Sequence, residues 1–521
     1  MMRDGGQRSR PFHPLRRVLW VVLFLGMAGG SGGTFGQDDL AARQLETGDR
    51  LAAAGKVVQA QAAWREVVAR YPDSPSASAA LDRLGSTAYP AEELAARGQM
   101  PAASLDQARA MFETIVREYQ ASPQAPRALF KLGLLFSDPA AAFFDLDEAY
   151  ARFTTITTLY PASEQVDQGL LGEADVLATQ GQCQPALKPL STLLLVHGES
   201  PLLDQAWFLA GRCLGRLGKL RAALRAFQEL RDQIPASPLA TVARDRTTHL
   251  ARLLRGGSRA PAALYTRFDL LVPSLPAGER LRSVTAMAAD EKNRIILVDE
   301  RAGAVHVLDA KGRPLSRLGV RRPSAVFAHG DLLLVGADGE VVSGGKGTSL
   351  TGPGGRVSLL EIGFLGRDPR QRLIVWDRRT GSLLRYKRDL SFESVLVEGR
   401  ERRIDAVTLA EDGTLYLLDA RRERVSILPP GGGGTREMAL APAAGLPRPD
   451  TMAIDFLGNL FVMDRADRSL VVFGPEGKEL AHLSSGRDAT DPFPRPDALA
   501  VNRRGEILIY DERRRGVVVA R

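Results

Sequence analysis

The residues best able to do chemistry lie in the C-terminal half, where an aspartate recurs at the end of a short apolar run: Asp299, Asp377, Asp419, Asp464 and Asp511. Repeated carboxylates could hold a divalent cation or share acid–base work. Each of these stands just before a short polar turn, where an aspartate side chain accepts hydrogen bonds from backbone N–H groups. The pattern therefore points to turn-holding carboxylates. The histidines His306, His329 and His482 fall at different positions of the repeat, and no HxH, HExxH, GxSxG or phosphate-loop pattern occurs. Gly431–Gly434 is a low-complexity loop, because no helix start or lysine follows it. No catalytic residue, metal ligand or cofactor site is expected.

Arginine gives a second signal. The turns after the aspartates carry Arg301, Arg378, Arg379, Arg421, Arg422, Arg465, Arg513 and Arg514. Further arginines, among them Arg321, Arg322, Arg402, Arg403, Arg448 and Arg495, stand in the connections between repeats. The net charge is +8, with only nine lysines in the chain. A guanidinium group binds carboxylates and phosphates bidentately, so these positions are candidates for contact with an anionic partner. Interleaved aspartates and glutamates allow the opposite reading, a neutralised surface on an arginine-rich chain.

The elements that carry these residues are strands. Apolar runs such as Ile295–Asp299 with Val305–Leu308, and Leu460–Asp464 with Leu470–Phe473, alternate with glycine-rich and charged turns. The marked aspartates recur every 42 to 47 residues, and a double gap from Asp299 to Asp377 leaves room for a degenerate unit at Leu332–Val335, with Gly336 where aspartate is expected. A repeat of this length with four strands per unit predicts a six-bladed β-propeller. Its last unit supplies only three strands, so Tyr265–Val272, an alternating run with no unit of its own, is expected to close the ring. Segments such as AMAADEKNRIILVDERAGAVHVLDAKGRPLSRLG resemble NHL repeats over about residues 280–521.

The N-terminal half follows a different frame, with alanine, an aromatic or leucine, a bulky residue and serine at fixed offsets. It occurs five times: Ala60, Trp64, Tyr71, Ser74; Ala108, Phe112, Tyr119, Ser122; Ala149, Phe153, Tyr160, Ser163; Ala186, Leu190, His197, Ser200; and Ala223, Phe227, Ile234, Ser237. Offsets of four and seven place the first three side chains on one helix face. Proline after the bulky residue ends that helix, and the serine is placed to cap the next. His197 is read as a core residue, because it replaces tyrosine in the frame. The pattern resembles the tetratricopeptide family over about residues 38–254, especially its periplasmic branch with the Tol–Pal coordinator and outer-membrane assembly lipoproteins. The last helix, about Leu239–Leu254, has no helix after it and is expected to cap the array.

Arg16 and Arg17 precede an apolar run from Val18 to Ala28 and a Gly/Ser stretch. That order reads as a secretory signal peptide cleaved near Gly36, with an uncleaved inner-membrane anchor as the alternative. No cysteine follows the run, so no lipid anchor is expected. Cys183 and Cys213 sit near adjoining ends of successive antiparallel helices, which makes them a candidate disulfide if the chain is exported.

The sequence therefore divides into a signal peptide (1–36), a helical repeat array (37–255), a linker (256–263) and a propeller (264–521). This is a multidomain α + β chain, a tetratricopeptide-type solenoid followed by an all-β six-bladed propeller. The expected role is a non-enzymatic scaffold of the bacterial cell envelope. The helical groove would hold a protein or peptide, and the propeller an acidic glycan, lipid headgroup or acidic protein, with membrane contact at most peripheral. Export argues against nucleic acid. The alternative is a metal-dependent propeller hydrolase or lyase with the repeats as a targeting module.

Overall fold

The structure is a computed structural model of the 521-residue chain. It describes residues 36–89, 102–138, 141, 143–256, 264–276, 279–330, 332–353, 360–400, 402–429, 434–440, 446–486, 488 and 490–521. The signal-peptide reading, most of the linker 256–263 and most of Gly431–Gly434 lie outside the described residues. No described helix is long and apolar enough to cross a membrane.

Among the described residues eleven helices come first: α1 (Gln37–Ala53), α2 (Val57–Arg70), α3 (Pro75–Ala88), α4 (Ala102–Glu118), α5 (Gln124–Ser137), α6 (Leu146–Leu159), α7 (Val166–Thr179), α8 (Cys183–Val196), α9 (Leu203–Arg216), α10 (Leu220–Gln233) and α11 (Leu239–Gly256). Met1–Ser76 and Ala77–Arg521 are two compact units. In the first, the Trp64 ring of α2 lies against Gly48 of α1, and its Nε1 donates to Asp49 Oδ1 at 3.1 Å.

The second unit repeats that device. Phe112 packs on Gly85, Phe153 on both Gly133 and Gly172, and Phe227 on Gly211. Each glycine leaves a seat that a Cβ would fill. The frame alanines are fully buried, as small residues at helix contacts should be. The glycines under the rings, however, are what set the close approach.

The serine turns are uniform, and their caps are not. Ser74, Ser122, Ser163, Ser200 and Ser237 each donate their backbone N–H to the carbonyl of the bulky frame residue three positions back. The hydroxyls of Ser74, Ser200 and Ser237 then accept the N–H two residues on, at 3.0–3.3 Å. Those of Ser122 and Ser163 are buried without a partner, so the serine side chain holds the turn in three of the five frames, and only Ser74 directly precedes its helix as the expected cap. His197 is not core. It ends α8 half-buried, with Nδ1 2.8 Å from Asp167 Oδ1, because the bulky frame position lies at the helix edge.

The β half is six four-stranded antiparallel sheets. Blades 1 to 5 take their strands consecutively, within residues 284–319, 323–349, 362–397, 406–439 and 451–484. The degenerate unit is thus a complete second blade. Gly336 stands where a side chain would meet Ile362 and Leu365 of blade 3. The Ser324 hydroxyl there donates to the carbonyls of Gly336 and Ile362, joining blades 2 and 3. Blade 6 is built from Pro496–Val501, Ile507–Asp511, Gly516–Ala520 and, at its outer edge, Phe268–Leu271. The register is Phe268 opposite Ala520 through Leu271 opposite Val517. The core is six apolar seams between neighbouring blades; Leu297, Leu508, Tyr510 and Val519 lie in the one that joins blade 6 to blade 1.

Replacing Gly211 with alanine tests the glycine seats. Alanine is the better helix former, yet its methyl group would run into the Phe227 ring. Gly211→Ala should lose about 1–3 kcal/mol, read from denaturant unfolding; a gain would show that the seat is not tight. Removing residues 264–272 should deprive blade 6 of its edge partner. The shortened chain should then lose cooperative thermal unfolding of the β half, and an unchanged transition would contradict ring closure.

Candidate functional site

The repeated aspartates stand at the end of each second strand, and their carboxylates are occupied by backbone. Asp299 accepts from the N–H groups of Arg282, Ser283 and Ala302 at 2.7–3.0 Å. Asp377 accepts from Glu361 and Arg379, Asp464 from Arg448 and Asp467, and Asp511 from Arg495 and Arg514. Each carboxylate thus staples the connection from the preceding blade to its own turn. In blade 4 the task is divided: Asp419 holds the N–H of Arg422, while Asp405 accepts from Ala420. Among the described residues no group of three His, Cys, Asp or Glu side chains is placed to hold a metal ion.

The arginines of these turns spread over blades 1, 3, 4, 5 and 6. Arg301, Arg378, Arg379, Arg421, Arg422, Arg465 and Arg513 are exposed, and Arg514 is half-buried, donating to the Asp491 carbonyl. Acidic neighbours answer some of them: Asp450 lies 2.8 Å from Arg465, and Asp419 3.7 Å from Arg422. Arg378 lies over the Trp376 ring, 5.7 Å from its centroid. Exposed pairs of this kind contribute little stability.

The turns between first and second strands emerge at the opposite end of the strands, and there the helices dock. In blade 5 the turn Asp455–Gly458 carries Phe456 and Leu457 into an apolar cluster with Phe227, Leu230, Ala243 and Leu250 of α10 and α11. His249 of α11 is fully buried, with Nε2 2.7 Å from Asp455 Oδ2. Gly505 of blade 6 packs against the same imidazole at φ +62°, leaving no space for a side chain. Asp245 accepts from Asn293 Nδ2 of blade 1 at 2.7 Å and from Arg504 of blade 6 at 2.8 Å. Arg216 pairs with Asp412 of blade 4 at 2.9 Å. Arg252 and Tyr265 both donate to the Gly505 carbonyl.

α11 is therefore not a solvent-facing cap, because the ring covers its outer face. These docking residues are the ones that sequence reasoning missed. One signal was present: two large apolar residues, Phe456 and Leu457, in a tight turn that exposes whatever is not covered.

Arg246 of α11 is buried as well. Its guanidinium lies 4.4 Å from the Phe456 centroid and 4.8 Å from that of Phe208, and Nη2 reaches both carboxylate oxygens of Glu411 at 3.1 Å. Burial, with Arg212 and Arg503 nearby, lowers its pKa to about 10. Burial by itself would raise the Glu411 pKa, but Arg246, Arg212 and Arg216 outweigh it and bring it to about 2. His329 and Glu291 meet at 2.9 Å; the hydrogen bond raises the imidazole pKa and lowers that of the carboxyl group.

These residues border a cavity of about 830 Å³ that follows the inner strands of all six blades and ends against α7, α9 and α11. Cys183 and Cys213 are elsewhere, in the core between α8 and α9. Both thiols are buried and face each other there, a contact that lowers the pKa of one thiol of the pair and, with burial, raises that of the other.

Tetratricopeptide-repeat family models match residues 171–238 and 44–74. No curated protein sequence matches the chain. Among solved structures it is similar to a streptogramin B lyase, at 10% identity and a TM-score of 0.35, over 49% of this chain and 97% of that one. It is similar to a catalytically inactive virginiamycin B lyase from Staphylococcus aureus with quinupristin, at 12% identity and a TM-score of 0.34, over 47% and 82% of the two chains. A structural genomics protein of unknown function from Bacteroides thetaiotaomicron gives 12% and 0.38, over 49% and 75%. Likeness at this level carries nothing about activity. The matched repeats and the six sheets make the chain a tetratricopeptide-repeat region fused to a six-bladed β-propeller, an architecture that suggests a protein-interaction scaffold.

Replacing His249 with alanine removes one partner of the buried Asp455. His249→Ala should lower stability by about 1–3 kcal/mol and speed hydrogen exchange along α11. Exchange as slow as in the parent protein would show that the pair does not hold the docked helix.

Proposed function

We propose that the chain is an exported, non-enzymatic scaffold of the bacterial cell envelope, holding a protein or peptide through its tetratricopeptide repeats and an anionic partner through the outer face of its propeller. The carrying observation is the division of the ring's two faces. The face of the first turns is covered by α9 to α11, and the face of the second turns presents exposed Arg301, Arg378, Arg421, Arg422 and Arg513. A face of this composition attracts acidic glycans, lipid headgroups or acidic proteins through its field. The NHL-like character of the blades and the periplasmic character of the repeats belong to this proposal, as does the signal peptide.

Three measurements bear on it. Reversing the charge at Arg421, Arg422 and Arg513 should abolish retention on a sulfated polysaccharide matrix at low salt; unchanged retention removes the anionic partner from the reading. Mature protein from envelope fractions should begin close to Gly36 and hold Cys183 and Cys213 as a disulfide. Cytoplasmic protein with an intact N-terminus and alkylatable thiols would overturn the export reading. Stoichiometric calcium or zinc in purified protein would turn the reading toward a propeller hydrolase or lyase.

A further inference from the structure

We infer that the cavity between the propeller channel and the docked helices is a binding site for a small organic anion, its carboxylate or phosphate head held by Arg212 with Arg503 and Arg246 beside it, and its apolar body in the channel. The head-group end lies against the docked helices, at the opposite end of the channel from the exposed arginine face, of which Arg378 and Arg465 border the cavity's far end.

The cavity is first a matter of charge. Asp290, Asp368 and Asp412 border it, but each is matched by an arginine of its own: Arg294, Arg372 and Arg216. Asp405, Asp450 and Asp455 also border it and are held by Arg403, Arg465 and His249, which leaves Arg212, Arg246, Arg367, Arg378 and Arg503 facing Glu411, Glu291 and Asp497. Glu291 is already shared between His329 and Arg503, at 2.9 and 3.3 Å. Glu411 is held by Arg246.

Arg212 is the residue left over. It is half-buried on α9, lines the cavity, and makes no hydrogen bond or ion pair among the described residues. Arg246 beside it is only 5% exposed, and its Nε and Nη1 have no partner. Buried guanidinium donors without acceptors are unfavourable, and so is the crowding of three like charges around one carboxylate. An anion placed at Arg212 relieves both through charge-assisted hydrogen bonds and a counter-field on Arg246.

The inner strands also give the cavity an apolar stretch of wall. Met287, Phe327, Phe364, Leu409 and Ile454 line it, one from each of blades 1 to 5. Its volume, about 830 Å³, falls within the roughly 300–1,000 Å³ typical of small-molecule sites. A charged head at the helix end and a hydrocarbon body along the inner strands match this wall.

The test uses the full-length protein and calorimetric titration with decanoate, decyl phosphate and decanol. Decanoate or decyl phosphate should bind saturably, and the tighter of the two identifies the head group. Decanol should bind at least tenfold more weakly. Arg212→Gln, which breaks no hydrogen bond or ion pair among the described residues, should unfold close to the parent and bind the anion at least tenfold more weakly, and Arg212→Lys should recover most of the loss. If Arg212→Gln fails to fold, Arg503→Gln gives the same readout. Decanol binding as tight as the anions, unchanged affinity in both glutamine variants, or no saturable binding into the millimolar range would each overturn the proposal.

Discussion

A ring of blades is complete only when its first and last strands pair within one blade. Here that pairing joins Phe268–Leu271 to Gly516–Ala520, and much of the chain's geometry follows from it. The closing strand lies directly after the helices, so the helical chain must arrive at the rim beside blade 6. α11 is then delivered onto the turns of blades 1, 4, 5 and 6, through Asn293, Glu411, Asp455 and Gly505. Tyr265 and Arg252, on either side of the linker, meet at one carbonyl, Gly505. Closing the ring and docking the helices are one construction. The wall this places across the channel turns an open pore into a cavity.

Carboxylates do two different jobs in the ring. Asp299, Asp464 and Asp511 are fully buried and bound to backbone N–H groups, so their role is local and repeats with the blade. Asp455 also holds its own turn, accepting from Leu457 and Asn459, and then takes an imidazole from another part of the chain. Buried polar pairs contribute modestly to stability and strongly to register. Phe456 and Leu457 supply apolar burial at the same turn. Attraction comes from the apolar pair, and the exact seating from His249, Asp245 and Arg246.

What the sequence revealed was whatever repeats locally. The helical frame, the aspartate before each turn, the glycine gap in blade 2 and the extra strand were all readable as periodicity or its interruption. The glycine seats under Phe112, Phe153 and Phe227 were harder to see, because the glycine and its ring lie on different helices. His197 was misread, since the frame position does not say which side of the helix end is covered. The docking surface was invisible to periodicity altogether: His249 and Asp455 are 206 positions apart. No pattern within one repeat reports such a pairing. The cavity arginines, Arg212 and Arg503, were hidden in the same way, in a chain where arginine is common everywhere.

The closing strand also sets an order of events. Each helical hairpin contacts its sequence neighbours and can form while the chain is still emerging. Phe268–Leu271 is made before any complete blade, and its partner Gly516–Ala520 comes after all the others. Until that partner appears the early strand has nothing to pair with, and five blades stand as an incomplete arc with sticky ends. Blade 6 is therefore complete only once Gly516–Ala520 has been made. A chain ending short of that strand would carry finished repeats beside a blade that lacks its last inner partner.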